Sequence, residues 1–298
     1  MKRLIILFLV INLFSINNQL SAQEESTGLL GDNFSLEGAL DAFKNASSLE
    51  DFEKQLNNQD SDVNNLDLND DGDVDYIRVE EHMEGDVHAI ILQALISDEE
   101  SQDIAVIEVE KTGKESATLQ IVGDDYLYGK DHYIEPFDEE ATSDGKGGPS
   151  ADYLVNRIIV NVWLWPSVRH IYRPDYVVYR SPFRWRVYPN VWRPWRPLTW
   201  SVYHGKRRHY NHHYHTVKTH RIVRARKIYT PKRKSSKVVV KKSKTVTKVR
   251  KSNNGNKTVS KSKTVKKTGK VKANKSKTKS KVKKGKKGKK VKKKKKGN

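Results

Sequence analysis

Charge is divided very unevenly along this chain of 298 residues, and the division limits which part can form a globular core. Residues 23–150 hold 34 acidic and 7 basic residues, whereas residues 151–298 hold 48 basic and 2 acidic residues. No Asp or Glu follows Asp175. Residues 231–298 consist mainly of Lys, Ser, Thr, Val and Gly, which bury too little apolar surface to fold. The sequence therefore predicts an acidic domain over residues 33–135 and a disordered Lys-rich tail.

Local patterns predict an α+β fold for the acidic domain. Leu36, Leu40 and Phe43 recur at helical spacing, and Ser48 opens a capping box before a second apolar face. Four segments rich in β-branched residues follow, at residues 74–82, 87–96, 104–111 and 117–122. Their short connections favour an antiparallel meander. We expect two short N-terminal helices packed on a sheet of about four strands.

A further helix and a linker are predicted after this domain. The Gly, Pro and acidic content of residues 136–150 is typical of a linker. Apolar residues then recur at helical spacing over residues 152–165, which predicts an amphipathic helix that ends or kinks near Pro166. Its apolar face either completes the core of the small domain or lies on a membrane surface. This helix begins an arm, residues 151–230, that is rich in aromatic residues, Arg and His.

The N-terminus predicts export. A basic start and an apolar run of about a dozen residues precede Ala22, so residues 1–22 have the form of a secretory signal peptide. An uncleaved membrane anchor is the alternative. No later segment is apolar for long enough to span a membrane. The mature chain is expected to be periplasmic or at the cell surface and extracellular. The absence of cysteine excludes disulfides, thiolate metal sites and a lipoprotein anchor.

Residues 67–75 carry the sharpest chemical pattern in the chain. Oxygen-bearing side chains alternate there with Gly72 at the turn: Asp67, Asn69, Asp71, Asp73 and Asp75. Hard cations such as calcium bind several oxygen ligands, and this spacing turns successive side chains toward one point. The pattern predicts a weak calcium site with a structural role, since it precedes the first strand. The alternative is an acidic surface turn without an ion.

The loop resembles the first nine positions of an EF-hand loop, and more closely the D-x-N-x-D-G-x-x-D loops of dockerin and integrin-type repeats. It departs from the EF-hand at the twelfth position, where Arg78 replaces the bidentate glutamate. The resemblance implies calcium binding at roughly 10⁻⁴–10⁻³ M, the range of extracellular modules.

The arm contains a segment in which Trp, Arg and Pro alternate, here called the Arg/Trp segment (residues 184–196). All six tryptophans lie in residues 163–200. Trp with Arg suits membrane interfaces and stacking on bases or sugars. The composition is similar to that of Trp/Arg/Pro-rich membrane-active peptides. The candidate polyanion- or membrane-binding residues are Arg184, Trp185, Arg186, Trp192, Arg193, Trp195 and Arg196. The alternative is that these rings wrap the acidic domain.

Two further basic features favour binding rather than catalysis. The histidines near residues 204–220 suit adventitious metal uptake, because no carboxylate is near them in sequence. The tail is expected to bind anionic polymers through counterion release, with a solvated spacer as the alternative. No nucleophile elbow, H-E-x-x-H motif, phosphate-binding Gly loop or catalytic Cys is present, so an enzyme is not predicted.

Two stretches of the chain resemble a family of exported bacterial envelope proteins. They are D-L-N-x-D-G-x-V-D-Y-I-R-V (residues 67–79) and Tyr-Arg-Ser-Pro with Trp-Arg-Pro-Trp-Arg-Pro (residues 179–197). This resemblance implies a location and no activity. The sequence predicts a non-enzymatic envelope protein with a structural calcium-type site, whose arm and tail associate with an anionic envelope polymer or lipid surface. The alternative is an extracellular binder of nucleic acid or another polyanion through the tail.

Overall fold

The computed structural model describes residues 26–136 and 159–253. Seven α-helices are α1 (Leu36–Asn45), α2 (Leu49–Leu56), α3 (Asp125–Tyr128), α4 (Pro166–Ile171), α5 (Trp200–Arg207), α6 (Val223–Tyr229) and α7 (Lys237–Asn253). Six strands are β1 (Ile77–Glu84), β2 (Val87–Leu95), β3 (Ser101–Gly113), β4 (Ser116–Gly123), β5 (Tyr133–Pro136) and β6 (Tyr214–Val217). The predicted signal peptide lies outside the described residues, as do residues 137–150 of the predicted linker. Pro136, its first residue, ends β5.

The two predicted N-terminal helices are confirmed. The hydroxyl of Ser35 accepts a hydrogen bond from the Gly38 N–H at 2.9 Å and caps α1. Ser48 caps α2 in the same way, accepting from Asp51 N–H at 3.1 Å. Phe43 and Phe52, both 0% exposed, meet edge to face at 5.4 Å between ring centroids. The two caps therefore define where the helices begin, and their apolar faces pack this helical hairpin on the core, as the sequence predicts.

The sheet is antiparallel in the order β1-β2-β3-β4-β5-β6. Its first four strands are the predicted meander. Two more strands extend it, and β6 comes from the arm, with Tyr133 opposite Val217 and Pro136 opposite Tyr214. The expectation of about four strands was too low because β5 and β6 are four-residue strands that pair across a long separation in the chain. The arm is thus an integral part of the fold.

Both faces of the sheet are covered. The helical hairpin and α4 pack on one face and form the main core. Helix α6, from the basic half, packs on the other face over β1, β2 and β3, where Ile222, Ala225 and Tyr229 meet Val87 and Ile91. Every residue of β2 is consequently buried. This explains why its sequence is nearly all apolar, as strands covered on both faces are.

The predicted helix over residues 152–165 is wrong for its described part. Residues 159–165 are not helical, and α4 begins at Pro166, where the prediction ended a helix. Proline is well suited to the first helical position, since its missing N–H has no acceptor there anyway. Val162 and Trp165 still enter the core, whereas Leu164 is 76% exposed. Of the two alternatives for this apolar stretch, these contacts support completion of the core.

The predicted tail also differs from the structure at its start. Residues 231–253 include a short 3-10 turn and helix α7, and Val239 is 0% exposed within the main core. Ser236 Oγ accepts hydrogen bonds from Val238 N–H at 3.2 Å and Val239 N–H at 3.5 Å, which caps the helix. Apolar residues recur too rarely here for the sequence alone to indicate packing. Residues 254–298 lie outside the described part of the chain.

Candidate functional site

The loop of residues 67–75 is organised by hydrogen bonds from its own main chain. Asp67 accepts from the Asp71 N–H at 3.2 Å and the Gly72 N–H at 3.0 Å, one at each carboxylate oxygen. Asn69 Oδ1 accepts from Asp71 N–H at 3.0 Å, and Asp71 Oδ1 from Asp73 N–H at 3.0 Å. Gly72 has φ +92°, a conformation that a side chain would strain. These contacts curl the loop around the five predicted ligand side chains.

Exposure divides the five residues. Asp71 and Asp73 are exposed, Asp67 and Asn69 are half-buried, and Asp75 is only 5% exposed. Asp75 Oδ2 accepts from the Leu68 N–H at 2.6 Å. Burial raises the pKa of Asp75 to about 8, and the charges of Asp67 and Asp71 add to this effect. Burial also raises the pKa of Asp67. Burial and the mutual repulsion of these carboxylates therefore disfavour the full negative charge of the loop.

A cation from the basic half partly compensates this charge. Lys242 Nζ on α7 lies 2.8 Å from Asp70 Oδ2 and donates to the Leu68 carbonyl. Arg78, at the twelfth loop position, is turned instead to Gln93, with Nε to Oε1 at 2.9 Å. Across the described residues, no three or more His, Asp or Glu side chains gather into a group that holds a metal by itself. Calcium also takes amide and main-chain oxygens, which this loop supplies at Asn69 and along its backbone.

The loop is joined directly to the Arg/Trp segment. The Val74 N–H donates to the Trp195 carbonyl at 2.8 Å, and the next residue, Asp75, donates its N–H to the Leu66 carbonyl at 2.7 Å. Main-chain hydrogen bonds of this kind fix position without depending on side-chain chemistry. The position of the segment is thus coupled to the conformation of the acidic loop.

A buried glutamate on α2 anchors the arm. Glu53, 1% exposed, accepts from Tyr76 Oη and Ser181 Oγ at 2.8 Å each. It also accepts from Val79 N–H at 2.8 Å and Tyr179 Oη at 3.2 Å. Burial raises its pKa, and the four hydrogen bonds oppose the rise. One carboxylate therefore joins α2, β1 and the arm.

A second buried carboxylate repeats this arrangement on β1. Glu81, 0% exposed, accepts from the Tyr179 N–H at 3.0 Å and from the Tyr176 hydroxyl. His88 Nδ1 lies 2.6 Å from Glu81 Oε1. Sequence analysis missed both anchors. A signal existed for Glu81, since it shares the inward face of β1 with Ile77 and Val79 by strand alternation.

The three tryptophans of the Arg/Trp segment are half-buried. Trp192 lies edge to face with Tyr76 at 5.1 Å and with Tyr188 at 4.7 Å between ring centroids. Trp195 is 6.3 Å from Trp192. Trp185 is half-buried and lies 5.9 Å from the Arg186 guanidinium. Trp192 thus packs on the acidic domain, as one of the two alternatives expected, and each of the three rings keeps part of its surface in solvent.

The arginines of the same segment face solvent. Arg184, Arg186, Arg193 and Arg196 are all exposed. None of them forms an ion pair with an acidic side chain of the described residues. Arg193 Nη1 donates instead to the carbonyls of Asn190 and Trp192, at 2.7 Å each. The seven predicted binding residues thus lie along one segment, with four exposed arginines, three half-buried tryptophans and one of these rings, Trp192, packed on the domain.

Other basic residues of the second half are used inside the molecule. The ion pairs to acidic residues of the first half are Lys206–Asp62, Arg207–Glu37, Arg221–Glu135, Arg224–Glu110, Arg233–Asp124 and Lys242–Asp70. His220 Nε2 also lies 2.7 Å from the buried Glu108 Oε2. The fold thus brings a carboxylate to a histidine that has none near it in sequence. The two halves attract each other at named positions.

Comparison of the chain with known protein families, with curated proteins and with solved structures gives no match. Within residues 26–136 and 159–253, no helix combines the length and apolar character that crossing a membrane requires. The geometry of this chain alone must therefore support any functional proposal.

Proposed function

We propose that this chain is a non-enzymatic, exported envelope protein that associates with an anionic polymer or lipid surface through its Arg/Trp segment. The observation that carries the proposal is the exposure of four arginines with no acidic partner among the described residues. Arginine presents a planar array of donors that matches carboxylate and phosphate groups. Half-exposed tryptophans beside them supply apolar contact with the same partner.

The contrast with the paired basic residues supports this assignment. Among the described residues, six basic residues of the second half form ion pairs that attach it to the acidic half, so their charge is already used. The arginines of the Arg/Trp segment are held on a wrapped, anchored chain, where Glu53 and Glu81 fix the preceding residues. A prearranged set of cations loses less conformational entropy on binding than freely moving side chains do.

We further propose a structural role for calcium at residues 67–75. The donor set is entirely oxygen, which suits a hard cation. A divalent ion would stabilise the charged forms of Asp67 and Asp75, whose pKa values are raised in its absence. Since Val74 binds the Trp195 carbonyl, a stiffened loop would also stiffen the Arg/Trp segment.

Salt dependence tests the role of the arginines. The logarithm of the affinity for an anionic polymer is expected to fall linearly with the logarithm of salt concentration, by about 0.7–0.9 per neutralised charge. The Arg184→Gln/Arg186→Gln/Arg193→Gln/Arg196→Gln variant is expected to lose up to about 3.6 units of this slope. A control variant, Arg173→Gln/Lys206→Gln/Arg224→Gln, removes exposed cations that are already paired. If both variants lose the same slope per charge removed, the proposal fails.

The alternative assigns binding to the tail. Residues 254–298 contain 22 lysines and no acidic residue, which favours counterion-release binding to nucleic acid or another polyanion. Deleting this stretch separates the two functions. Under the first proposal the truncated chain retains most of its association with anionic vesicles or polysaccharide, and under the alternative it loses retention on DNA.

A further inference from the structure

An open groove lies between helix α2 and the Arg/Trp segment. Its volume is about 710 Å³, within the range of small-molecule and saccharide sites. One wall is formed by helix α2 and the residues flanking it. The other wall is formed by the chain from Phe183 to Trp192, with Tyr76 at the base. The two walls differ sharply in chemistry.

The wall on the arm side is apolar and firmly supported. Phe183, Pro189, Val191 and Trp192 line it, and Val191 is 84% exposed. Phe183 and Trp192 both rest edge to face on Tyr76, with ring centroids 5.7 Å and 5.1 Å away. Tyr76 is itself held by Glu53 at 2.8 Å. This wall is a fixed aromatic platform with an exposed rim.

The wall on the α2 side offers hydrogen bonds of both kinds. Glu50, Lys54 and Asn58 are exposed, and neither Glu50 nor Lys54 has an ion-pair partner among the described residues. Glu50 supplies a carboxylate acceptor and Lys54 an ammonium donor. Asn58 supplies the donors of its amide group, since its Oδ1 already accepts from the Asp60 N–H at 3.1 Å. Glu53 and Asn57, deeper in the groove, are already satisfied by Tyr76 and by the Ile77 main chain. The deep residues therefore shape the groove, and the rim residues are left to meet a ligand.

A ligand that fits must have one apolar face and an opposite edge rich in hydroxyl groups. A pyranose ring has this form, since its C–H face packs on aromatic rings and its hydroxyls both donate and accept hydrogen bonds. A nucleic acid fits less well, because Glu50 and Asp51 line the groove and carboxylates repel phosphates. An acyl chain would leave the polar wall without partners.

We propose that this groove is a saccharide-binding subsite that accepts a sugar ring of a polysaccharide. The inference deepens the function proposed above and rests on it for the anionic character of the polymer. Phe183 and Trp192 line the groove, and each is followed directly by an exposed arginine, Arg184 and Arg193. A sugar ring held in the groove thus places neighbouring acidic substituents of the same polymer close to these arginines.

Uncharged oligosaccharides test the groove apart from the arginines. The full-length chain is titrated with hexamers of β-1,4-linked N-acetylglucosamine, β-1,4-linked glucose and α-1,4-linked glucose, followed by tryptophan fluorescence and calorimetry. We expect at least one hexamer to bind with little dependence on salt. Trp192→Ala is expected to weaken that binding roughly ten-fold or more, since it removes the stacking surface. Glu50→Ala, which changes an exposed side chain with no ion pair, is expected to weaken it by about three-fold or more.

Trp185→Ala is the matched control, because Trp185 is half-buried in the same segment and does not line the groove. It is expected to leave hexamer binding within about two-fold of the parent. The inference is overturned if none of the three hexamers binds, or if Trp185→Ala weakens binding as much as Trp192→Ala. It is also overturned if oligothymidylate binds through Trp192 and no hexamer competes for that site.

The two proposals fail in different ways. If an anionic polysaccharide binds the parent and Trp192→Ala equally, with a salt slope set by the four arginines, the groove inference fails and the proposed function stands. If a hexamer binds through Trp192 while the arginine variant keeps its full salt slope, the groove stands and the proposed function fails.

Discussion

Replacing Glu53 with alanine removes the carboxylate that joins α2, β1 and the arm. Four donors then lose their acceptor: the Tyr76, Tyr179 and Ser181 hydroxyls and the Val79 N–H. Tyr179 and Ser181 are half-buried, so water can replace part of what they lose. Tyr76 and Val79 are 1% and 0% exposed, so their donors stay unsatisfied.

The expected cost follows from these two donors. A hydrogen bond to a charged group contributes about 1.5–3 kcal/mol, so the loss from Tyr76 and Val79 is about 3–6 kcal/mol. This loss is offset in part because the buried charge of Glu53, whose pKa burial raises, no longer has to be desolvated. A net decrease of about 2–4 kcal/mol in the free energy of unfolding is expected.

Urea unfolding of the full-length chain measures this cost with two probes. Circular dichroism reports the helices and strands, and tryptophan fluorescence reports the arm, which contains all six tryptophans. Fluorescence is expected to change at a lower urea concentration than circular dichroism in Glu53→Ala, since the arm loses its anchor. Glu50→Ala, on the exposed face of the same helix, serves as control and is expected to change stability by less than about 0.5 kcal/mol. A cost below about 1 kcal/mol for Glu53→Ala would refute the role assigned to this carboxylate.

Three further outcomes are expected. Millimolar calcium is expected to raise the melting temperature of the parent and not that of Asp71→Ala/Asp73→Ala, because the variant lacks two loop ligands. Calorimetry measures both melting temperatures, and equal responses would contradict a calcium site. Burial raises the pKa of Asp103 to about 6. The folded chain thus holds that proton more tightly, and the resulting stability is complete below about pH 4 and lost as pH rises through about 6. Unfolding measured from about pH 4 to about pH 7 is expected to show the parent losing roughly 2.4 kcal/mol relative to Asp103→Asn, and parallel profiles would contradict this. Val239→Asp is expected to detach α7, because Val239 is 0% exposed and the variant would bury a carboxylate there. Faster proteolysis between α6 and α7 reports the change. The control is Val238→Asp, which changes an exposed residue.

The hairpin of α1 and α2 and the first four strands were predictable because their signals are local. Ser35 and Ser48 occupy cap positions, and the apolar spacing that follows them matches the buried faces of the helices. The strands β1 to β4 follow one another through short turns, so each pairs with its neighbour in sequence. Register and pairing in such a meander need no information from distant parts of the chain.

Strand β6 and helix α6, which covers the second face of the sheet, were not predictable in the same way. Strand β6 pairs with β5 across more than seventy residues, and four residues are too few for alternation to stand out. Helix α6 lies in a strongly basic stretch, and only Ile222, Ala225 and Tyr229 mark its buried face. The continuous apolar character of β2 indicated that something covers both faces, without indicating which segment does so.

The loop of residues 67–75 and the Arg/Trp segment were located by residue type and spacing alone. Their chemistry is local: carboxylates alternate around Gly72, and rings alternate with guanidinium groups from Arg184 to Arg196. The structure added that Val74 and Trp195 join the two features by a main-chain hydrogen bond. Such a bond leaves no trace in side-chain identity, so composition does not reveal it.

By itself, the sequence determined the division of charge, the helical hairpin, the four-stranded meander and the positions of the acidic loop and the Arg/Trp segment. Only the tertiary structure decided which charges remain available. Lys206, Arg221 and Arg233 are neutralised by carboxylates distant in sequence, whereas Arg184 and Arg193 are not. Electrostatic interaction depends on distance and burial, and neither is encoded by residue type. Pairing in three dimensions therefore separates basic residues that hold the fold together from those whose charge stays unpaired among the described residues.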